Sequence, residues 1–267
     1  MKNNFKGKTV WITGASSGIG EALATEFALL GANIVISARR KEALDLLKST
    51  LSGFNTAIFV LPLDLEKEGS FDDLTKIVLE QYGKIDLLIN NAGISQRSLA
   101  IQTSIAVDER LMKVNYLGTV ALTKAVLPYM VAQKGGKIVT ITSAVGKFGS
   151  PWRSGYSASK HALHGFFDSL RAEVYDDNIK VLLVCPGFVH TQVSINALNE
   201  NGESTQQMDT ATQKGLSAEY TAQKIIEAIA KEKEEVVIGG LKERFGVWMK
   251  RHFPTVFSVM LRKMAVR

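Results

Sequence analysis

Two rhythms alternate along the chain. Short continuous apolar runs rich in Val and Ile, TVWITG (9–14), NIVISA (33–38), AIFVLPLDL (57–65), IDLLINNAG (85–93), KIVTITS (137–143) and KVLLVCPG (180–187), predict strands buried on both faces. Between them, segments of helical period cover about 19–30, 41–51, 71–82, 106–132 and 154–175. This order predicts one α/β domain, a doubly wound parallel sheet of about seven strands with right-handed crossovers and helices on both faces. After Pro186 the rhythm stops. HTQVSINALNENGESTQQMDTATQKG is polar, contains Asn-Gly and has no period, so 191–216 is expected to be a long loop or lid. A helix over about 217–232 and a short strand, EVVIGG, complete a domain over 1–241, followed by a basic amphipathic tail over 242–267.

At 267 residues and 46% hydrophobic content, the chain has enough apolar surface for a full core. The single cysteine, Cys185, excludes an intramolecular disulfide, and four scattered histidines show no metal-ligand spacing, so no metal is expected. MKNNFKGKTVWITG enters its first strand within a few residues, leaving no room for a signal peptide; the expected location is the cytoplasm. The net charge of +6 changes meaning once it is located. Residues 242–267 hold seven Lys or Arg against one acid, while 1–241 hold 25 of each, so the basicity belongs to the tail and nucleic-acid binding is not expected.

The first strand runs into TGASSGIG, with Gly14, Gly18 and Gly20 at the mouth of a helix. Glycines permit a tight turn and close backbone approach, and a helix N-terminus offers free N–H groups to a pyrophosphate. The spacing is G-x-x-x-G-x-G rather than the usual G-x-G-x-x-G, and its place between strand and apolar helix is what makes it a nucleotide site. An NAD site usually carries an acid at the end of the second strand. This chain has Ala38, Arg39, Arg40 and Lys41 before its first acid, Glu42, which favours NADP with Arg39, then Arg40, on the 2′-phosphate. The bland alternative is a solvated basic start to the next helix.

YSASK places Tyr156 and Lys160 four apart, on one face of a helix, where a cation lowers the pKa of a phenol. EYTAQK repeats the spacing with Tyr220 and Lys224, so the surroundings decide. Ser143 stands 13 residues before Tyr156 at a strand end, whereas the residue 13 before Tyr220 is Gln207 in the irregular loop. The second pair is therefore expected to be an ordinary helix-surface pair.

TGASSGIG, NNAG (90–93), Asn115 in KVNYLG, Ser143 in TITSAVG, YSASK, and PG (186–187) followed by Thr191 resemble, in order and spacing, the classical short-chain dehydrogenases/reductases over about residues 5–240. The resemblance implies a Rossmann fold and hydride transfer between NADP(H) and a carbonyl or secondary alcohol. By the same resemblance, Tyr156 is the proton donor or acceptor, Lys160 lowers its pKa and holds the nicotinamide ribose, Ser143 bonds the reacting oxygen, and Asn115 positions a water in a proton relay. It assigns to the cofactor Gly14, Ser16, Ser17, Gly18, Ile19 and Gly20 of the turn, Asp64 at the adenine, and Asn91, Ala92 and Gly93. Pro186, Gly187, Val189 and Thr191 complete that set. His161 and His164 are expected to pack helices or contact a dimer partner, His190 is a candidate substrate contact, and Cys185 is expected to be a core residue.

The tail sets Phe245, Trp248, Met249, Phe253, Val256, Phe257, Met260, Leu261 and Met264 near helical spacing among basic residues, with Pro254 separating two short helices. Its uncharged runs are too short to span a bilayer, so it either packs on the protein or lies on an anionic membrane surface. It resembles tails in the hydroxysteroid and lipid-ketone reductase branch, implying a hydrophobic or lipid-like carbonyl substrate. The family's usual interface, on the helices carrying Asn115 and Tyr156, implies a homodimer or homotetramer. The competing reading from another class is a non-catalytic NADPH-binding regulator. Nucleotide-sugar epimerases share the fold but differ in glycine spacing.

Overall fold

The computed structural model describes residues 5–67 and 71–263. Seven strands, β1 (Thr9–Thr13), β2 (Asn33–Ser37), β3 (Ile58–Val60), β4 (Leu87–Asn90), β5 (Gly136–Ile141), β6 (Ile179–Pro186) and β7 (Glu235–Ile238), form one parallel sheet in the order β3-β2-β1-β4-β5-β6-β7. Chain progression reverses between β1 and β4, which opens a crevice at the carboxyl ends of these central strands.

Alternation along the strands fills two cores. Val10 and Ile12 of β1 face one side with Ile34, Ile36 and Leu87, under α1 (Gly18–Leu29), α2 (Lys41–Thr50) and α8 (Ala218–Ala230). Trp11 faces the other with Val35, Leu88 and Ile138, under α3 (Phe71–Tyr82), α5 (Thr119–Ala132) and α6 (Ser154–Glu173). Trp11 is fully buried and donates its indole N–H to Ser37 Oγ at 2.9 Å, tying β1 to β2 just below the glycine turn.

Three elements differ from expectation. The third strand is only Ile58–Val60; beyond it the Leu61 and Leu63 amides still bond Ile36 and Ala38, while Pro62, lacking an N–H, sits where an edge strand tolerates it. The long helix over 106–132 is α4 (Ile105–Met112) joined to α5 through a π-helical turn, Lys113–Gly118. The periodicity hid this insertion because the apolar stripe continues across it. Gly118 closes the turn against the Leu65 carbonyl, a contact that a β-carbon would occupy.

The 191–216 segment is an ordered flap. Leu198 pairs with Gln96 and Ser204, Val189 pairs with Leu216, and α7 (Thr210–Gln213) adds a short helix. The tail folds as expected into two helices at Pro254, α9 (Leu241–His252) and α10 (Pro254–Lys263). They pack on the body through buried Met249 and through Phe257, whose ring meets Phe148 edge-on at 5.1 Å. Phe245, Trp248, Phe253, Val256, Val259 and Met260 remain exposed. Met264 of the expected stripe lies outside the described residues. No helix among the described residues is long and apolar enough to cross a membrane.

Candidate active site

A cleft of about 600 Å³ runs across the carboxyl ends of the central strands. Of the residues expected to form the site, all line this cleft except Gly20 and Asn115, which stand just behind its wall, and the candidate substrate contact His190, which is exposed and does not line it.

The glycine turn folds as it does because of close approaches. Gly14 and Gly18 adopt left-handed φ of +66° and +59°, and a β-carbon on Gly18 would lie 2.8 Å from the Thr191 methyl. On Gly20 it would run into the Gly14 carbonyl and lie 2.6 Å from Asn91 Nδ2. Gly20→Ala is therefore expected to cost about 1–3 kcal/mol of stability by forcing the turn apart, read as a lower denaturant midpoint together with weaker cofactor binding. An unchanged midpoint would show that the turn yields freely.

Ser17, the N-cap of α1, makes no side-chain cap bond, so the first N–H groups of the helix are left for a ligand. Asn91 serves the frame more than the cleft: its Nδ2 donates to the Thr13 and Gly14 carbonyls at 2.9 and 3.2 Å. Thr13 Oγ1 in turn accepts from the Asn91 and Ala92 amides. Asp64 turns the chain after β3, accepting the Glu66 amide at 3.1 Å. Arg39 and Arg40 are exposed at the far end of the cleft, and no carboxylate among the described residues is paired with either. Gly187 lies under the Glu243 side chain of α9.

The opposite end of the cleft carries the polar triad. Ser143 caps a 3-10 turn after β5, its Oγ accepting the Val145 amide at 3.3 Å. Lys160 is 4% exposed and donates to the Ile141 carbonyl at 2.9 Å. That bond uses one of the three ammonium donors. Burial pulls the Lys160 pKa down to about 8. Lys160 Nζ lies 5.9 Å from the Tyr156 ring centroid.

Burial pushes the Tyr156 phenol above its ordinary value; the Arg153 guanidinium, a hydrogen bond with Ser143 and the Arg97 guanidinium pull the other way, in that order. Two arginines thus act on the phenol beside the expected Lys160. Lys160 sits over the ring with its hydrogen bond turned toward β5.

Asn115 is fully buried in the π turn. Its Oδ1 accepts the Ile94 amide at 2.8 Å, and its Nδ2 donates to the Ile94 carbonyl at 2.9 Å and to Ser159 Oγ at 3.0 Å. The Asn115 side chain is thus a clamp between the loop after β4 and α6. Gly93 sits in the notch between Asn115 and Lys160, where a β-carbon would lie 3.0 and 3.4 Å from their polar atoms.

Four residues that sequence patterns did not single out complete the site. Gln96 Oε1 accepts from the Gly155 and Tyr156 amides at 2.9 and 3.2 Å, capping α6 from about 60 positions away. Arg97 and Arg153 both pair with Asp209 in the flap. Only Arg153, in PWRSGY, stood close enough to the tyrosine to be noticed.

Tyr220 and Lys224 are an exposed pair on α8, beside a separate groove of about 260 Å³. Cys185 and His164 are buried neighbours, the thiol pushed up to about 11 and the imidazole held down to about 4, chiefly by burial, so both are neutral at physiological pH. They are packing residues between β6 and α6, as expected. His161 binds back to the Ser157 carbonyl of its own helix.

A dinucleotide fits this cleft: open helix N–H groups stand at its centre, exposed guanidiniums at one end, and a lysine with spare donors at the other. Known proteins agree with that geometry. A relative from Anopheles gambiae described as a dehydrogenase/reductase SDR family protein 7-like is 47% identical over 98% of this chain and 84% of its own length. Two solved structures superpose closely. A Burkholderia phymatum short chain dehydrogenase/reductase in complex with NAD has a TM-score of 0.85 at 26% identity, over 94% of this chain and 95% of its own. A Sphingobium yanoikuyae short-chain dehydrogenase in complex with NADPH has a TM-score of 0.75 at 29% identity, over 86% and 87%. The short chain dehydrogenase family model matches residues 8–202, and the resemblance carried by the motifs becomes a membership: the chain belongs to the classical short-chain dehydrogenases/reductases.

Proposed function

We propose that the chain is an NADP(H)-dependent oxidoreductase interconverting a carbonyl and a secondary alcohol on a hydrophobic or lipid-like substrate. The family membership makes it a dehydrogenase/reductase using a nicotinamide cofactor. The observation that carries the finer reading is one cleft with Ser143, Tyr156 and Lys160 at one end and, at the other, Arg39 and Arg40, neither paired with a carboxylate among the described residues. Because the solved neighbours include both an NAD and an NADPH complex, the preference for NADP rests on those two arginines.

When bound, the nicotinamide supplies a hydride to the carbonyl carbon or takes one from the alcohol. Tyr156 then gives its phenolic proton to the carbonyl oxygen, or removes it from the alcohol. The Ser143 hydroxyl donates to the same oxygen and stabilises the charge that builds on it. Lys160 holds the ribose with its two remaining donors, and its charge favours the phenolate whenever the proton has left. Asn115 keeps Ile94 and α6 in register beneath them.

The exposed Phe245, Trp248, Phe253 and Val256, interleaved with Lys250 and Arg251, support a peripheral position on an anionic membrane surface, where a lipid-like substrate would be met. In the same reading the protein is cytoplasmic and pairs through α4, α5 and α6 as a homodimer or homotetramer.

NADPH and NADH consumption against ketones, aldehydes, steroid ketones and acyl ketones tests the reading. Wild type should prefer NADPH, and Arg39→Glu should lower kcat/KM for NADPH by about ten- to a hundred-fold, through the loss of a charge-assisted bond, while gaining relative use of NADH. An unchanged cofactor ratio would remove Arg39 from the reading. No turnover of any carbonyl would leave the non-catalytic alternative.

A further inference from the structure

The flap, the loop after β4 and the start of α6 bring three charged side chains together beside the catalytic phenol. Arg97 and Arg153 both approach the same oxygen of Asp209, Arg153 at 3.0 Å. The other Asp209 oxygen accepts the Ala211 amide at 2.9 Å as the cap of α7. The cluster is dry: the Arg97, Arg153 and Asp209 side chains are 17%, 11% and 6% exposed.

This cluster is unbalanced. Two guanidiniums face one carboxylate that is already shared with a helix cap. Arg97 Nη1 and Arg153 Nε are buried without a hydrogen-bond partner. Two guanidiniums offer ten N–H donors in all, and an uncompensated buried cation is among the costliest groups a fold holds. Arg153 is also the N-cap residue of the 20-residue α6, whose first turn contains no acid, so the helix dipole opposes its charge. Asp108 packs against Gly155 from α4 and makes no ion pair with either arginine among the described residues. Fastening the flap to the body would need one arginine per carboxylate. The second cation in this dry pocket, lining the same cleft as Tyr156 and Ser143, exceeds what the one Asp209 carboxylate can neutralise and is free to meet a further negative charge in the cleft.

We propose that Arg97 and Arg153 form an anion subsite for the substrate, so that the carbonyl compound reduced here carries a carboxylate or phosphate close to its reacting carbon. This rests on the carbonyl-reductase reading and narrows it. The apolar part of the substrate extends from the carbonyl along Ile94, Phe188, Val193 and Leu198, which line the cleft, while its anionic group turns into the arginine pocket. The Arg153 guanidinium carbon lies 5.2 Å from the Phe188 ring centroid, a cation–π contact that helps hold the side chain at the cleft wall.

The test measures binding apart from turnover. Calorimetry on the NADP-loaded chain compares a β-keto acid with its methyl ester, and an α-hydroxyketone with its phosphate monoester, for wild type, Arg97→Gln and Arg153→Gln. NADP affinity serves as the check that each variant is folded. Wild type should bind at least one anionic member about ten-fold or more tighter than its neutral partner, as one charge-assisted pair would supply, and each substitution should shrink that ratio to within about twofold. The arm with the advantage names the anion as carboxylate or phosphate. Equal binding of charged and neutral partners in wild type, or an advantage that survives both substitutions, overturns the subsite. Because this reading needs no turnover, it fails independently of the oxidoreductase assay.

Discussion

Tyr156→Phe should lower turnover by about three orders of magnitude, the scale on which a positioned proton donor contributes, with the melting temperature little changed. The phenol is held above its ordinary value, chiefly by burial, so at neutral pH it is protonated. Carbonyl reduction needs that proton and should run at a flat rate through neutral pH, declining only in strongly alkaline solution as the phenol ionises. Alcohol oxidation needs the phenolate and should rise with pH over the same range. Rate profiles in both directions check the sign. A reduction rate that fell between pH 6 and pH 8, a decline that this raised pKa does not allow, would show that another group carries the proton.

Lys160→Met should separate activity from stability. Turnover should fall by about a hundred-fold or more with the loss of a charge beside the phenol and of the proposed ribose contact. The folded chain, however, should become harder to melt. With its pKa drawn down to about 8 from 10.5, Lys160 charged and buried costs about 3 kcal/mol at neutral pH. Below about pH 8 the lysine is protonated in both the folded and unfolded chains, and the full penalty applies. Between about 8 and 10.5 the folded lysine is neutral while the unfolded one still binds its proton, so the penalty fades. The methionine variant should therefore melt roughly 5–10 °C above wild type at pH 7, with the gap closing as the pH approaches 10.5. A variant less stable than wild type at pH 7 would mean that the Ile141 bond outweighs the burial of the charge.

What could be read from the chain beforehand was local. Continuous Val and Ile runs announced strands covered on both faces, and the sheet has seven of them, all parallel. Ser143, Tyr156 and Lys160 were legible because one strand end and one helix face fix their spacing. Gln96 and Asp209 were not, because their partners on α6 lie roughly 60 positions away and only folding brings them there. The π turn escaped because an inserted residue keeps the apolar stripe while rotating Asn115 inward. The Tyr156 electrostatics were legible only in part: helical spacing places Lys160 near the ring, but it says nothing of the Arg97 and Arg153 guanidiniums that folding adds.

Gln96 has a consequence for how this enzyme could diverge or be re-engineered. Its backbone is bridged to Leu198 in the flap, and its side chain holds the first amides of the helix that carries Tyr156. Selectivity and rate thus share a hinge pin. A flap transplanted from another reductase would tug on the catalytic helix unless the graft carried residue 96 and its contacts along, so changes of substrate in this chain are coupled to changes in chemical efficiency and cannot be exchanged as an independent module.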